Sequence, residues 1–418
     1  MQKIKIGVMG IGRGTAMINY CKAVGDVELV AICDSWEQGL LAKKEELDND
    51  GITCYLSFDE FIKHDMDAVI LANYATQHAP YAIECLKNGK HVLSEVLPVQ
   101  TMSEAVALVE AVENSDKLYA YAENYCFMPA PSKMRELYKA GILGEFEYGE
   151  GEYFHNCESA WVDITQGNPN HWRNNMSAMY YCTHSLGPLI HISGLRPVSV
   201  TGFEMPYNKR MSRMGAKSGL GAVEMVTLEN GAILKSVHGV GISRNSIWYS
   251  IYGSKGCMES AREIAEQGDI AKIYINCDEY EGENAWHIES YSPSDELTET
   301  AKTFGHGGSD FYTMHNFVEK IKGHDADVVG IYEALDMFLP GLFAYRSVLA
   351  GGIPMYVPNL RDKSIREQYR NDTMCTDPAV AGDRLIPSYS KGNPEIPAEI
   401  YESQKDKWMK SLEKSEKK

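Results

Sequence analysis

Hydrophobic positions along the first 124 residues switch repeatedly between two periods. Ile4-Lys5-Ile6-Gly7-Val8-Met9 alternates and is β-branched, the pattern of a buried strand. Thr15 to Val24 follows with Ala16, Ile18, Cys21 and Val24 on one helical face. A second apolar run, Val27 to Cys33, ends in Asp34. The rhythm then repeats. It predicts a charged helix over Trp36–Asn49, a short strand at Cys54–Leu56 and a buried strand at Met66–Ala72. It goes on to a helix over Ala79–Asn88 closed by Gly89, a strand at His91–Ser94, a helix over Ser103–Asn114 and a strand at Leu118–Ala122. Ser57 with Glu60 three residues on reads as a capping box. Strands alternating with helices over this length predict an α/β domain on a parallel sheet.

The pattern changes after a helix at Ala130–Ala140 that Gly141 stops. Long alternating strands follow at Glu145–Phe154, Val198–Phe203, Ala222–Leu228, Ala232–Val240, Ser246–Tyr252 and Ile270–Cys277. Glu229-Asn230-Gly231 joins two of them as a hairpin turn. Strands in succession predict an open, mostly antiparallel sheet and hence an α+β second domain. Helices return at Asp310–Lys322 and Gly330–Ala350. The expected division is 1–124, 125–357 and a C-terminal arm, 358–418. That arm is rich in Pro, Asn, Asp and Lys, ends in a basic helix near Ile400–Leu412, and should lie on the body or on a neighbouring subunit.

Charge and composition narrow the partners. A net charge of −18 argues against nucleic acid and anionic membranes. No apolar run reaches the length of a membrane span, and the chain opens directly on a strand, so neither a span nor a signal peptide is expected. Ten scattered cysteines make no C-x-x-C pair and read as reduced thiols of a cytoplasmic protein. No metal site is expected.

The first strand runs straight into Gly10-Ile11-Gly12-Arg13-Gly14. Strand, glycine turn, helix, strand and acid together form the dinucleotide-binding unit of a Rossmann domain. Gly10 permits the tight turn, Gly12 lets backbone approach a pyrophosphate, and the helix opening near Arg13 and Gly14 offers free N–H groups. Asp34 would bind a ribose diol and repel a 2′-phosphate, which favours NAD(H) over NADP(H). The third glycine of the full fingerprint is missing; Thr15 or Ala16 stands there. Residues past the strand ends face the ligand crevice of such a sheet, so Asn73, Thr76, His78, Glu95 and Asn124 are expected cofactor contacts. Glu95 is equally placed for a substrate hydroxyl.

On Gly10–Gly14, Asp34, the run Asn88-Gly89-Lys90-His91-Val92-Leu93-Ser94-Glu95 and Gly253-Ser254-Lys255-Gly256, residues 1 to about 355 resemble the glucose–fructose oxidoreductase, inositol dehydrogenase and MocA (Gfo/Idh/MocA) superfamily. The resemblance implies NAD(P)-linked oxidation of sugar or cyclitol hydroxyls. It also implies homo-oligomers, dimer or tetramer, in which the second-domain sheet packs face to face. Most members continue Glu-Lys-Pro, and that lysine moves the hydroxyl proton; this chain has Glu95-Val96-Leu97-Pro98. An acid usual four residues before a histidine is replaced by Tyr180. The Glu-Val run, Tyr181-Cys182-Thr183-His184-Ser185-Leu186-Gly187-Pro188 and Gly305-His306-Gly307-Gly308-Ser309-Asp310 are more similar to the NAD-dependent α-N-acetylgalactosaminidases. In that subgroup NAD oxidises the sugar at C3, a proton leaves C2 and the aglycone is eliminated. Tyr181 and His184 fall on its functional tyrosine and histidine, and relatives that only oxidise glycosides at C3 would look much the same.

His184 is therefore the candidate base, since an imidazole titrates near neutrality, and Tyr181 lies three residues before it on the same helical face. A tyrosine needs a cationic or hydrogen-bonding neighbour to act as a base; otherwise it donates to an oxyanion. His306, between glycines, is a candidate for substrate binding or catalysis, and Asp310 for the N-cap of the next helix. The loop from Asn156 to Asn175 holds Trp161, Asn170, His171, Trp172 and Arg173, a set suited to stacking on a pyranose and reading its hydroxyls. Asn156, Trp161, His171, Trp172 and Arg173 are taken as substrate contacts; the plainer alternative is a structural loop. The leading expectation is an NAD(H)-dependent oxidoreductase acting on a ring secondary hydroxyl of a sugar or glycoside. The alternatives are a retained-cofactor glycosidase and a non-catalytic sugar or cofactor sensor.

Overall fold

The computed structural model describes residues 3–48, 51–262, 272–277, 287–290 and 297–415. The helix end expected at Asn49 and the strand start expected at Ile270 lie outside the described residues. The chain divides into two compact units, each assembled from three stretches. The first takes Met1–Lys133, Tyr291–Leu335 and Asn359–Asp372; the second takes Met134–Ser290, Asp336–Pro358 and Thr373–Lys418.

In the first unit the strands are β1 (Ile4–Met9), β2 (Val27–Cys33), β3 (Thr53–Tyr55), β4 (Ala68–Leu71), β5 (His91–Ser94) and β6 (Tyr119–Tyr121). They form one parallel sheet in the order β3-β2-β1-β4-β5-β6. Both faces are covered, so β4 is buried at every position and reads as an unbroken apolar run. The order reverses between β1 and β4, the switch point where ligands bind in such sheets. Helix Thr15–Ala23 packs there, and helix Ser309–Ile321 returns from far along the chain to the same core. Tyr20 and Phe311 meet with ring centroids 5.2 Å apart. Farther out, buried Arg366 clasps Glu113 and drives its carboxyl down to about 2.

The capping box expected at Ser57 does not form. Ser57 is the N-cap of a single turn, Phe58–Phe61, but its side chain makes no cap bond. Burial of Phe58 and Phe61 and the bond from Phe61 N–H to the Ser57 carbonyl hold that turn.

The strands of the second unit are β7 (Phe146–Phe154), β8 (Pro197–Glu204), β9 (Ala222–Leu228), β10 (Ile233–Gly239), β11 (Ser246–Gly253), β12 (Gly256–Ser260), β13 (Lys272–Cys277), β14 (His287–Ser290) and β15 (Met355–Tyr356). Their order is β14-β13-β12-β11-β7-β10-β9-β8-β15. Every neighbouring pair is antiparallel except β7 with β10. Helix Thr183–Ser193 crosses β7 so closely that a Cβ on Gly151 would stand 1.9 Å from the Ser185 carbonyl oxygen. That close approach sets the level at which His184 sits against the sheet.

Candidate functional site

In the first unit the glycine turn is built by contact. Gly10 has φ +88°, and a Cβ there would meet the Ala72 carbonyl oxygen at 2.4 Å. A Cβ on Gly14 would meet the Gly10 carbonyl oxygen at 2.2 Å. Gly12 has nothing within 4 Å, so its backbone faces open space at the start of helix Thr15–Ala23. Asp34 is tied to the same turn: its two oxygens accept from Ile11 N–H and Trp36 N–H, each at 2.9 Å. A carboxylate holding two amides keeps lone pairs free for a diol. An open glycine backbone at a helix start, with an acid beside it, fits a dinucleotide's pyrophosphate and ribose.

Arg13 does something the turn alone does not predict. Its Nε donates to Glu95 Oε1 at 2.8 Å, and its Nη atoms donate to Asp310 at 3.1 and 2.8 Å. Asp310 also accepts from Asn124 Nδ2 at 2.9 Å and pairs with His306 Nδ1 at 3.0 Å. Burial alone would raise the Asp310 carboxyl; His306 and Arg13 outweigh it and hold the group far below the usual range. Burial would lower the guanidinium of Arg13, and the charges of Glu95 and Asp310 raise it instead. The simple N-cap role for Asp310 is thereby corrected: Gly308 is the cap, and Asp310 sits inside the first turn. His306 lies in a left-handed run, φ +56°, with Gly307 and Gly308 also at positive φ.

The remaining cofactor candidates divide. Asn73 and Thr76 are half-buried beside the β4 end, with Asn73 Nδ2 donating to Gln77. His78 is buried, and its ring nitrogens lie 2.8 Å from the Leu97 carbonyl oxygen and 3.2 Å from that of Asn73. It braces the loops at the ends of β4 and β5 and is not exposed to a ligand. Val96, where the resemblance implies a lysine, is buried.

In the second unit, the turn Ala178–Tyr181 and helix Thr183–Ser193 bring Tyr181 and His184 together, ring centroids 5.1 Å apart. Tyr153 of β7 joins them at 4.7 Å from His184 and 5.9 Å from Tyr181. The Arg173 guanidinium lies 5.1 Å from the Tyr181 ring and 4.3 Å from that of Trp172. His155 stacks on Tyr153 at 6.0 Å and has Cys157 Sγ 2.8 Å from its Nδ1. Beneath the helix, Tyr249 Oη donates to the His184 carbonyl at 2.6 Å, and Ser185 and Ser236 share a bond of 2.7 Å. Tyr153 and Tyr249 escape a sequence reading; their only signal is strand alternation on the side that meets the helix.

Of the substrate candidates in loop 156–175, Trp172 and Arg173 reach this cluster. Trp161 does not. Its indole is 2% exposed, packs with Met211 and Met214, and donates to Asn174 Oδ1 at 2.8 Å. A pyranose has no face of it to stack on. His171 is buried too; its Nδ1 accepts from Arg173 N–H, and burial, with Arg173 nearby, pushes it down to about 3. Asn156 braces the loop base against Ser243 and Asn245. Trp161 and His171 are thus buried in the loop's own packing, while Asn156 is half-buried. Among the described residues, no group of three or more His, Cys, Asp or Glu is placed to hold a metal ion, and no helix is long and apolar enough to cross a membrane.

Sheet order, glycine turn and acid define the first unit as an NAD-binding Rossmann domain. Residues 4–123 match the oxidoreductase family of that fold, Gfo/Idh/MocA. Residues 204–365 match the C-terminal domain of glycosyl hydrolase 109. The chain thus carries a Gfo/Idh/MocA oxidoreductase domain followed by a glycosyl hydrolase 109 C-terminal domain. A glycosyl hydrolase family 109 protein of Solibacter usitatus (strain Ellin6076) is 25% identical over 393 residues, 85% of this chain and 88% of that protein. A glycosyl hydrolase family 109 protein 1 of Shewanella sp. (strain MR-4) is 30% identical over 204 residues, 45% of this chain and 44% of its own. The fold is shared with a levoglucosan dehydrogenase solved in complex with NADH and L-sorbose, at TM-score 0.70 and 17% identity over 86% of this chain and 100% of that one. The cluster of Tyr153, Arg173, Tyr181 and His184 lies between the two matched stretches.

Proposed function

We propose that this chain oxidises a ring secondary hydroxyl, at C3, of a sugar or glycoside, with NAD as hydride acceptor. The observation that carries the reading is the Tyr181–His184 pair set beside Tyr153 and Arg173 in the second unit. When bound, NAD+ supplies the hydride acceptor. The chain's own residues do the rest. Gly12 and Asp34 seat the pyrophosphate and the adenine-side ribose. Glu95, Asn124 and His306, joined to one another through Arg13 and Asp310, are the proposed contacts to the cofactor or to a sugar hydroxyl. His184 takes the hydroxyl proton, a task Val96 cannot perform. Its carbonyl, pinned by Tyr249, fixes where the ring can turn. Tyr181 donates to the oxygen that gains charge, with Arg173 supporting it.

The match to glycosyl hydrolase 109 favours a second outcome for the same oxidation. A ketone at C3 would acidify the proton at C2, so that its loss expels the aglycone and leaves an enone; water would then add at C1 with a solvent proton returning to C2, and bound NADH would supply the hydride that restores the C3 hydroxyl. The two outcomes separate on one set of measurements. Net dehydrogenation accumulates NADH and keto-sugar from a panel of glycosides. The glycosidase releases p-nitrophenol from an aryl glycoside without net NADH and takes up solvent deuterium at C2. His184→Ala should abolish either while leaving NAD+ affinity unchanged. Full turnover in that variant, or no NAD+ binding by the parent, would refute the reading. The chain is also read as a homo-oligomer; Phe203, Ile233 and Tyr252 are exposed on the open sheet, and light scattering tests it.

A further inference from the structure

Polar side chains fill the space between helix Thr183–Ser193 and the sheet, a place that apolar side chains would ordinarily take. Ser185, Ser236, His238 and Glu224 are all buried there. His238 of β10 is the centre of the group. Its Nε2 lies 3.0 Å from the Ala178 carbonyl oxygen, and its Nδ1 lies 3.2 Å from Ser236 Oγ and 3.4 Å from Ser185 Oγ. A carbonyl only accepts, so Nε2 carries the ring proton and Nδ1 is left to accept from a hydroxyl. Ser185 Oγ in turn donates to the Cys182 carbonyl at 2.8 Å. One imidazole thereby ties down two separate pieces of chain, the turn Ala178–Tyr181 that ends in Tyr181 and the helix start that carries His184. Burial pushes His238 down to about 4, so near neutral pH the ring is uncharged and keeps this arrangement.

Glu224 of β9 is the acid beside this clamp. Its Oε1 stands 3.8 Å from His238 Nε2, and neither of its oxygens has a hydrogen-bond partner among the described residues. Burial raises it well above its ordinary value, so it keeps its proton where an exposed acid would not. The other titratable groups packed around the two are Cys182 and His184 at the helix start, Tyr153 on β7 and Tyr249 on β11. Once ionised, the Glu224 carboxylate competes with the Ala178 carbonyl for the Nε2 proton, because a charged acceptor binds a donor more strongly than a neutral one. We infer that His238 is a positioning residue for the Tyr181–His184 pair, holding the two at their working separation from beneath, and that Glu224 releases this hold when it ionises. The inference rests on the proposed proton transfer at His184, and it names what keeps that pair in register.

The test uses the full chain with saturating NAD+ and the aryl glycoside of the panel that turns over fastest. His238→Leu should lower kcat at least about tenfold, the cost of a misplaced reacting group, with sugar KM and NAD+ affinity each within about twofold of the parent. His238→Gln, whose amide can still donate to the Ala178 carbonyl, should recover most of that loss. Should His238→Leu fail to fold, Ser185→Ala removes the other arm of the clamp and should lower kcat about threefold, again without a change in KM. The alkaline limb of the kcat profile should move upward by at least about 0.5 pH unit in Glu224→Gln, since an amide cannot ionise. Full kcat in folded His238→Leu, or a loss shared equally by kcat, sugar KM and NAD+ affinity, overturns the positioning role. An unmoved alkaline limb overturns the role of Glu224. A chain that turns over no glycoside refutes the proposed function itself, and nitrogen-15 histidine spectra then decide the clamp alone. The resonances lost in His238→Gln should report a ring protonated at Nε2 at pH 7, and a ring protonated at Nδ1 alone overturns the inference.

Discussion

Arg13 grips Asp310 with both Nη atoms, 3.1 Å to Oδ2 and 2.8 Å to Oδ1, across 297 residues of chain. With Nε on Glu95, one side chain fastens the glycine turn to the end of β5 and to helix Ser309–Ile321. Replacing Arg13 with Ala would take the cationic partner from two buried carboxylates, leaving Asp310 to Asn124 and His306. Breaking a buried pair costs about 3–5 kcal/mol; because the Arg13 side chain is 34% exposed, on the order of 2 kcal/mol is expected here. Asp310 is held below its ordinary value, so this stability is present above the unfolded value near pH 4 and fades as pH falls toward the depressed folded one. Urea denaturation of Arg13→Ala should show the deficit at pH 7 and a smaller one at pH 3.5. An equal deficit at both pH values would mean that charge is not what Arg13 contributes.

How far these relationships could be read from the chain depends on their range. The strand–turn–helix of residues 4–34 is legible because period 2, glycines and an acid lie side by side. Helix Ser309–Ile321 is legible as a helix, but its return to the first unit is not, since tertiary destination leaves no mark on local periodicity. Trp161 shows the limit best. An indole in a polar loop reads as a sugar platform; Met211 and Met214, some 50 residues on, bury it. Arg173 is visible as a candidate, yet the packing of its guanidinium against the rings of Trp172 and Tyr181 belongs to the folded neighbourhood and cannot be spelled in sequence.

Asp34 should set the choice between NAD and NADP. Its carboxylate is held at the turn by Ile11 N–H and Trp36 N–H, where a 2′-phosphate would meet a fixed negative charge. Asp34→Ser should weaken NAD+ binding about tenfold, a loss of one or two charge-assisted hydrogen bonds, and bring NADP+ to comparable affinity. Fluorescence titration with both cofactors checks this. An unchanged preference for NAD+ would place the discriminating charge elsewhere.

Glu224 is fully buried on β9, with Cys182 and, 3.8 Å away, His238 Nε2 beside its carboxyl. Burial raises this acid well above its ordinary value. The folded state therefore keeps a proton that the unfolded chain gives up near pH 4.3, so stability declines as pH climbs from that value toward the raised one. His238, pushed down to about 4 by burial, slopes the opposite way, losing stability as pH falls from 6.5 toward 4. Glu224→Gln removes only the first slope. The variant should match the parent at pH 4 and exceed it at pH 8, as read from urea denaturation at the two pH values. Destabilisation at pH 8 would show that Glu224 is ionised and paired.

The last helix, Ala398–Ser415, should govern sugar affinity through the loop it covers. Gly167 has φ +68°, and a Cβ on it would stand 2.5 Å from Lys405 N and 2.5 Å from the Tyr401 carbonyl oxygen. Gln404 Nε2 and Tyr401 Oη donate to the carbonyls of Arg213 and Gly215, and Ser388 Oγ donates to that of Asn175. The tail thereby holds both edges of the segment bearing Trp172 and Arg173. Gly167→Ala pays a left-handed backbone penalty of about 1–2 kcal/mol and must also push the helix away. A lower Tm and a KM for sugar raised several-fold should follow, with NAD+ affinity unaltered because the glycine turn belongs to the other unit. Gly12→Ala, whose Cβ enters open space, should show the reverse pattern, weaker NAD+ and an unaltered sugar KM. If Gly167→Ala weakened NAD+ and sugar alike, the tail would be acting on global stability and not on the loop.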